Sequence, residues 1–280
     1  MRSRFLKDLL LAFALAIFWG STYPIVRIAR DPGSILLGRY VVASAISIVY
    51  LYNIFMFRRS MSNFSRRDLF LSLLAGSFNT GFVVSMYYAL MYIPSGPVSS
   101  IVYTYPILIL LISHIAGFQR AGKGAVIGSI VAFSGVLAIY APSNLEPNGV
   151  LLSLAASIFF AVSSVISSQI SMGTLPLTSF QNIVGLPIIV ITYLHIGGVL
   201  KLDLFTTIAI IHQGVGAGYV SYLAWYVLIK RSLEIASSII YIVPVATYLI
   251  SIPITGEIPE SMQIAGLLLI LIGIYIAKRA

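Results

Sequence analysis

The chain has 280 residues, 59% of them hydrophobic and only 9% charged, with a net charge of +9 and a mean hydropathy of +1.00. A soluble domain carries about a quarter charged residues, so an ordinary globular domain is excluded. The absence of cysteine removes disulfides and thiolate metal sites, and the basic balance is what a polytopic membrane protein collects in its cytoplasmic loops, with no need of nucleic acid.

Apolar runs recur along the whole chain, each of the roughly 20 residues needed to cross a bilayer core of about 30 Å. They predict ten helical spans at 8–28, 34–56, 68–92, 96–117, 123–141, 148–171, 177–198, 204–229, 233–255 and 260–278. Alternating strands of about 10 residues, the mark of a membrane β-barrel, are not seen. The first run has the basic start of a signal peptide. It continues through Trp19 and Tyr23 without a small-x-small cleavage site and reads as a retained span. Trp19 and Tyr23 lie four apart, on one helix face. The second span carries Arg39 about five residues from its outer end, within snorkelling reach of the interface. The third holds Asn79 near its middle. The fourth contains Tyr103 and Pro106, in the phrase SSIVYTYP at 99–106.

That phrase returns as SSIIYIVP at 237–244 in the ninth span. A shift of 138 residues also places Tyr88 on Tyr226, Tyr103 on Tyr241, Pro106 on Pro244, Gly128 on Gly266 and Gly135 on Gly273. A slightly larger shift aligns the first two spans of each half, bringing Trp19 to Phe160 and Tyr23 to Ser164, beside Ser163. Residues 1–142 and 143–280 thus read as two five-span repeats within one membrane domain. Five is odd, so the second copy enters the membrane upside down. The charges agree: Arg120 and Lys123 align with Ile258 and Ser261, while Lys230 and Arg231 align with Tyr92 and Ile93. With the N-terminus inside, thirteen of the seventeen Lys and Arg fall on inner segments and three on outer ones, Arg39 being within a span. The positive-inside rule then puts both termini in the cytoplasm of a multi-pass plasma-membrane protein. The expected fold is all-α integral membrane, ten transmembrane helices in two inverted five-helix repeats, the architecture of transporters with a mid-membrane site.

Some patterns mislead. Residues 117–124 nearly spell a phosphate-binding loop, but lack its final Ser or Thr and follow no strand. GVGAG at 214–218 imitates a dinucleotide fingerprint and is better read as a close-packing surface on the eighth helix, as is Gly124-x-x-x-Gly128.

The candidate cargo lining combines aromatic walls with hydroxyls and amides: Trp19, Tyr23, Asn79, Tyr103, Phe160, Ser163, Gln213 and Tyr241. Helix-to-helix hydrogen bonding and lipid-interface tyrosine are the alternative roles for the same residues. Pro106 and Pro244, placed symmetrically inside spans, are candidate hinges. Arg39 and Glu257 are expected to meet as an ion pair on the outer side. By the repeat, Gln181 and Gln119 would echo them as an amide pair inside. All eight carboxylates fall at span ends or in loops. None sits mid-membrane to relay protons or hold sodium, which favours uniport or exchange. No metal or cofactor is expected, and no buried cation is foreseen to clamp a multiply charged phosphate.

The carriers of a wider likeness are WGSTYPIVRIA at 19–29, LLGRY at 36–40, ALMYIPSGPVSSIVYTYP at 89–106 and TGEIPESMQIAGLLLILIGIYIA at 255–277. With the ten-span pattern, they make the chain resemble the drug/metabolite transporter superfamily in its EamA-like branch, over its whole length. Gln119 stands where the first-half motif has Glu, a departure. The resemblance implies export or exchange of amino acids, other metabolites or drugs. The expected function is therefore a secondary transporter, not an enzyme, moving a small amphipathic metabolite by alternating access, as a monomer or weak dimer in the lipid bilayer. A membrane-embedded enzyme and a narrow channel are the alternatives. The former lacks clustered catalytic groups, and the latter lacks a ring of like charges.

Overall fold

A computed structural model describes residues 2–29, 31–56, 65–117, 123–140, 145–195, 199–231, 240 and 242–279. Among them every regular element is helical: α1 (Arg2–Arg27), α2 (Pro32–Met56), α3 (Arg66–Tyr92), α4 (Ser95–Val102), α5 (Tyr105–Ile115), α6 (Lys123–Tyr140), α7 (Pro147–Ser168), α8 (Thr174–His195), α9 (Leu204–Ile211), a π-helical stretch (His212–Val220), α10 (Ser221–Arg231), α11 (Ile242–Thr255) and α12 (Ser261–Arg279). Helix occupies part of each segment read as a span. Six stretches are apolar and long enough to cross a bilayer unaided: Leu10–Arg27, Pro32–Ile54, Arg66–Tyr92, Ser95–Ile115, Pro147–Ser168 and Thr174–His195. Leu10, Phe13, Ile48, Val49, Phe70, Ile130, Leu151 and Ile191 expose more than half their surface. Such an apolar exterior suits hydrocarbon and would aggregate in water.

Local chemistry sets the helix ends. Ser65 caps α3 by accepting from the Asp68 amide at 3.0 Å, and Asp203 caps α9 by accepting from Thr206 N at 2.7 Å. Gly117 and Gly256 follow α5 and α11 at φ +75° and +70°, a left-handed step that glycine takes without steric cost. Pro106 opens α5 in its first turn, where its missing N–H goes unneeded. The break between α4 and α5 lies at Tyr103–Thr104, just before the proline. Pro244 likewise stands in the first turn of α11. Both prolines begin helices and neither bends a continuous one.

Packing runs mainly between the two halves. α1 lies on α11, α2 on α8, α3 on α7 and α8, the π-helical stretch on α1 and α2, α4 and α5 on α7, and α6 on α12. The α6–α12 contact brings main chain against main chain. A methyl group built on Gly135 would sit 2.6 Å from the Gly266 carbonyl oxygen, and one on Gly273 would strike the Gly128 carbonyl. Position 135 thus faces 266 and 128 faces 273, so the two helices are antiparallel. α2 and α8 are antiparallel too: Gly33 meets Tyr193, and Ser44 Oγ donates to the Asn182 carbonyl at 3.0 Å.

Candidate functional site

The aromatic and polar residues of α1, α2, α3, α7 and α10 converge in the middle of the bundle. Phe160, 1% exposed, is the hub. Its ring centroid lies 4.7 Å from Phe82, 4.5 Å from Tyr105, 5.5 Å from Trp225 and 5.8 Å from Trp19. Trp19 also packs edge-on against Tyr222 at 5.3 Å, and Tyr23 faces Tyr103 at 6.3 Å. Trp19 Nε1 donates to the Ala217 carbonyl at 3.0 Å, tying α1 to the π-helical stretch. Gly214, Gly216 and Gly218 let that stretch press against Val42 and the Arg39 carbonyl, Phe18, and Ala43 and the Arg39 stem. This is the close packing read from GVGAG. The π geometry itself carried no sequence signal that we recognised, although π turns concentrate at functional sites.

Gln213 is fully buried. Its Oε1 accepts from Thr22 Oγ1 at 3.1 Å, Tyr87 OH at 3.3 Å and Arg39 Nη1 at 3.4 Å. Arg39 is only 3% exposed, and its guanidinium carbon lies 6.0 Å from the Tyr222 ring centroid. It neither snorkels outward nor meets Glu257, so the expected outer Arg39–Glu257 pair is corrected. Depth along a helix is readable from sequence, whereas the direction in which a side chain points around it is not. Here the small Gly214 and Gly218 draw α2 inward and turn Arg39 to the axis. Arg39 is thus a buried cation where none was foreseen to clamp a multiply charged phosphate.

Glu257 instead pairs with Arg27, Oε1 to Nε at 3.4 Å, because α1 packs along α11 and the two run out together. Glu257 Oε2 accepts from Ser95 N at 2.9 Å, and Arg27 Nη1 donates to the Leu90 carbonyl at 2.8 Å. One latch thus joins α1, α3, α4 and the α11–α12 link. At the opposite end of the bundle, Asp68 accepts from Ser171 N at 2.9 Å and Lys230 Nζ donates to the Met172 carbonyl. Both clamp the α7–α8 link. Gln181 bonds there to Tyr226 OH and, at 2.9 Å, to Ser167 Oγ. Its expected partner Gln119 lies outside the described residues, as does Tyr241.

Of the other lining candidates, Ser163 donates to the Ala75 carbonyl at 2.8 Å and serves helix packing. Asn79 is buried with Oδ1 unbonded among the described residues. Trp19, Thr22, Tyr23, Arg39, Phe82, Met86 and Tyr103 line a cavity of about 10 Å³, room for about one water. A larger cavity of about 240 Å³ opens between α2, α3 and α8 at the Arg27 end, lined by Asp31, Leu36, Tyr87, Met91, Ile189 and Tyr193 among others. Tyr87 lines it and also reaches Gln213. Sequence reasoning missed Thr22, Phe82, Tyr87, Tyr222 and Trp225. The i, i+4 spacing of Tyr222 and Tyr226 and the rarity of tryptophan were available signals.

The EamA-like transporter family model matches residues 6–141 and again 147–278. The chain belongs to the EamA-like transporter family. An uncharacterized transporter of Archaeoglobus fulgidus is 28% identical over 210 residues, covering 71% of this chain and 75% of that one. The uncharacterized inner membrane transporter YedA of Escherichia coli strain K12 is 26% identical over 261 residues, covering 88% and 82%. A solved crystal structure superposes with a TM-score of 0.69 at 17% identity, covering 97% of this chain and 96% of that one, a likeness of fold. The chain is a multi-pass membrane protein of a transporter family, and family and relatives indicate transport rather than enzymatic activity.

Proposed function

We propose that the chain is a secondary transporter that exports or exchanges a small amphipathic metabolite, an amino acid or similar, by alternating access. Ten spans in two inverted repeats, 1–142 and 143–280, rock about the Phe160–Gln213 centre, with both termini cytoplasmic. The observation that carries this reading is the reciprocity of the packing. Exchanging the halves turns α1–α11 into α7 on α4 and α5. It turns α3–α7 into the π stretch and α10 on α1, and α3–α8 into the π stretch on α2. The antiparallel pairs α2–α8 and α6–α12 map onto themselves. Two halves that interlock in this way have two equivalent tilts available, each opening one side. The double family match supports the same division.

On this reading the Arg27 end is extracellular. The Arg27–Glu257–Ser95 latch and the Asp68–Ser171 and Lys230–Met172 clamp are the outer and inner gates, and each must release in its turn. The cavity of about 240 Å³ is the outer vestibule, leading to the centre through Tyr87. Counterflow in liposomes tests the proposal: unlabelled cargo inside accelerates uptake of labelled cargo. Uptake indifferent to internal cargo would indicate a channel, and chemical alteration of the cargo an enzyme.

A further inference from the structure

Arg39 is a cation in the middle of a membrane protein, and no described residue neutralises its charge. Glu257 is taken by Arg27 at the bundle end, and among the described residues Arg39 has no carboxylate partner. Its hydrogen-bond partners there are neutral, Gln213 Oε1 at a long 3.4 Å and the Tyr87 hydroxyl, so a group with five N–H donors meets no anion. Removing a guanidinium from water costs several kcal/mol, which proteins normally recover with a paired anion. An unpaired intramembrane charge points to a ligand or an ion path.

Its surroundings are built to take an anionic group with a polar neighbour. Arg39 lines the central cavity together with Thr22, Tyr23 and Tyr103. Asn79 neighbours the Tyr222 hydroxyl, and its Oδ1 has no hydrogen-bond partner among the described residues. Leaving a buried amide oxygen unsatisfied is costly in a membrane interior, where no water offsets it. Trp19, Phe82 and Met86 complete the cavity with apolar surface.

We propose that Arg39 is the anion anchor of the central site, and that the cargo carries a single carboxylate next to an apolar moiety. The guanidinium takes the carboxylate through its fork of N–H groups. Asn79 Oδ1 accepts a hydrogen bond from a donor on the cargo, and Trp19 and Phe82 cover the apolar part. One cation matches one negative charge. Of the charged side chains buried among the described residues, Arg39 is the basic one and Asp68 the acidic one, so a dianionic phosphate would go half neutralised. The cavity of about 10 Å³ is the closed form of the site, and cargo enters from the vestibule when Tyr87 and Gln213 part. This inference rests on the transporter reading for its place in a cycle, but the binding step stands apart and is tested apart.

The test uses the full-length protein in lipid nanodiscs, with 3-phenylpropionate, L-phenylalanine, 3-phenylpropanamide and phenyl phosphate as probes and thermal unfolding as readout, since a ligand of the native state raises apparent stability. The two carboxylates should raise the unfolding temperature of the wild type, and the amide and phosphate should not. Arg39→Gln should bind the carboxylates about a hundredfold more weakly or not at all, while itself unfolding at or above the wild-type temperature without ligand. Arg39→Lys, which keeps the charge and loses the fork, should bind with intermediate strength. Several results overturn the anchor: no carboxylate shifting the wild type, the amide shifting it equally, carboxylate binding surviving both substitutions, or a fall in unfolding temperature in unliganded Arg39→Gln and Arg39→Lys that marks the guanidinium as structural. Liposome counterflow of the same probes separates the two claims. Amide transport that ignores Arg39→Gln leaves a transporter without this anchor. Arg39-dependent carboxylate binding with no counterflow leaves the anchor without the transporter.

Discussion

The α6–α12 crossing gives the sharpest forecast, because its distances are set by backbone on both sides. In Gly135→Ala the new methyl would lie 2.6 Å from the Gly266 carbonyl oxygen and 2.9 Å from the Ile270 amide nitrogen. A carbon and a carbonyl oxygen normally approach to about 3.3 Å, so the helices must part by about 0.7 Å. No rotamer relieves this, since the obstacle is main chain. A gap of that size forfeits roughly a quarter to a half of the dispersion energy of the atoms that faced each other. Overpacking costs about 3 kcal/mol at the upper end of its usual range, and alanine returns about 1 kcal/mol of helix propensity over glycine. We expect a net loss of about 2 kcal/mol. Gly273→Ala, which meets the Gly128 carbonyl and Ala132 N, should lose about the same, because the contact is reciprocal. The double substitution should cost much less than the sum, since the first separation makes room for the second methyl. Gly173→Ala is the control, with its nearest outside atom at 3.5 Å. The assay is reversible denaturation in mixed micelles, followed by tryptophan emission. A stabilised single variant, a large inequality between the two, or full additivity in the double would refute the geometry of this crossing.

Further outcomes are expected elsewhere. Arg27 and Glu257 are 32% and 22% exposed, so either alanine variant should change stability by only about 0–1 kcal/mol. Each should nonetheless disturb the outer gate, and the charge-swapped double Arg27→Glu/Glu257→Arg should recover counterflow; a double no better than the singles would count against the latch. Trp19→Phe removes the indole donor to Ala217 together with the pyrrole ring that carries it, and should cost at least about 0.6–1.7 kcal/mol in unfolding; an unchanged midpoint would mean that the bond contributes nothing. The chain is free of cysteine, so Ser99→Cys/Thr247→Cys, whose side chains now meet at 3.1 Å, should cross-link α4 to α11 on mild oxidation and stop counterflow until reduced. Failure to cross-link would misplace that helix pair, and undiminished transport in the cross-linked protein would exclude relative motion there. Single cysteines at Ser65 and Leu202 should label from opposite faces of intact cells, Leu202→Cys from outside, and the reverse pattern would invert the proposed topology.

The apolar runs, the shared phrases SSIVYTYP and SSIIYIVP and the paired glycines 128/266 and 135/273 were readable in the chain itself, because hydrophobic length and small-residue spacing are one-dimensional. They gave the helices, the family likeness and Trp19, Tyr23 and Phe160 as residues of the middle. What only the tertiary structure decided is which way side chains point around their helices and which neighbour they find. Arg39 and Arg27 look alike in sequence, each a basic residue near the end of a greasy segment. The close approach allowed by Gly214 and Gly218 turns Arg39 into the centre, and the run of α1 beside α11 delivers Arg27 to Glu257. A membrane fixes how deep a residue sits through its cost of transfer, and that cost is written in composition. Rotation about a helix axis is fixed by packing against helices distant in sequence, and no single segment contains it.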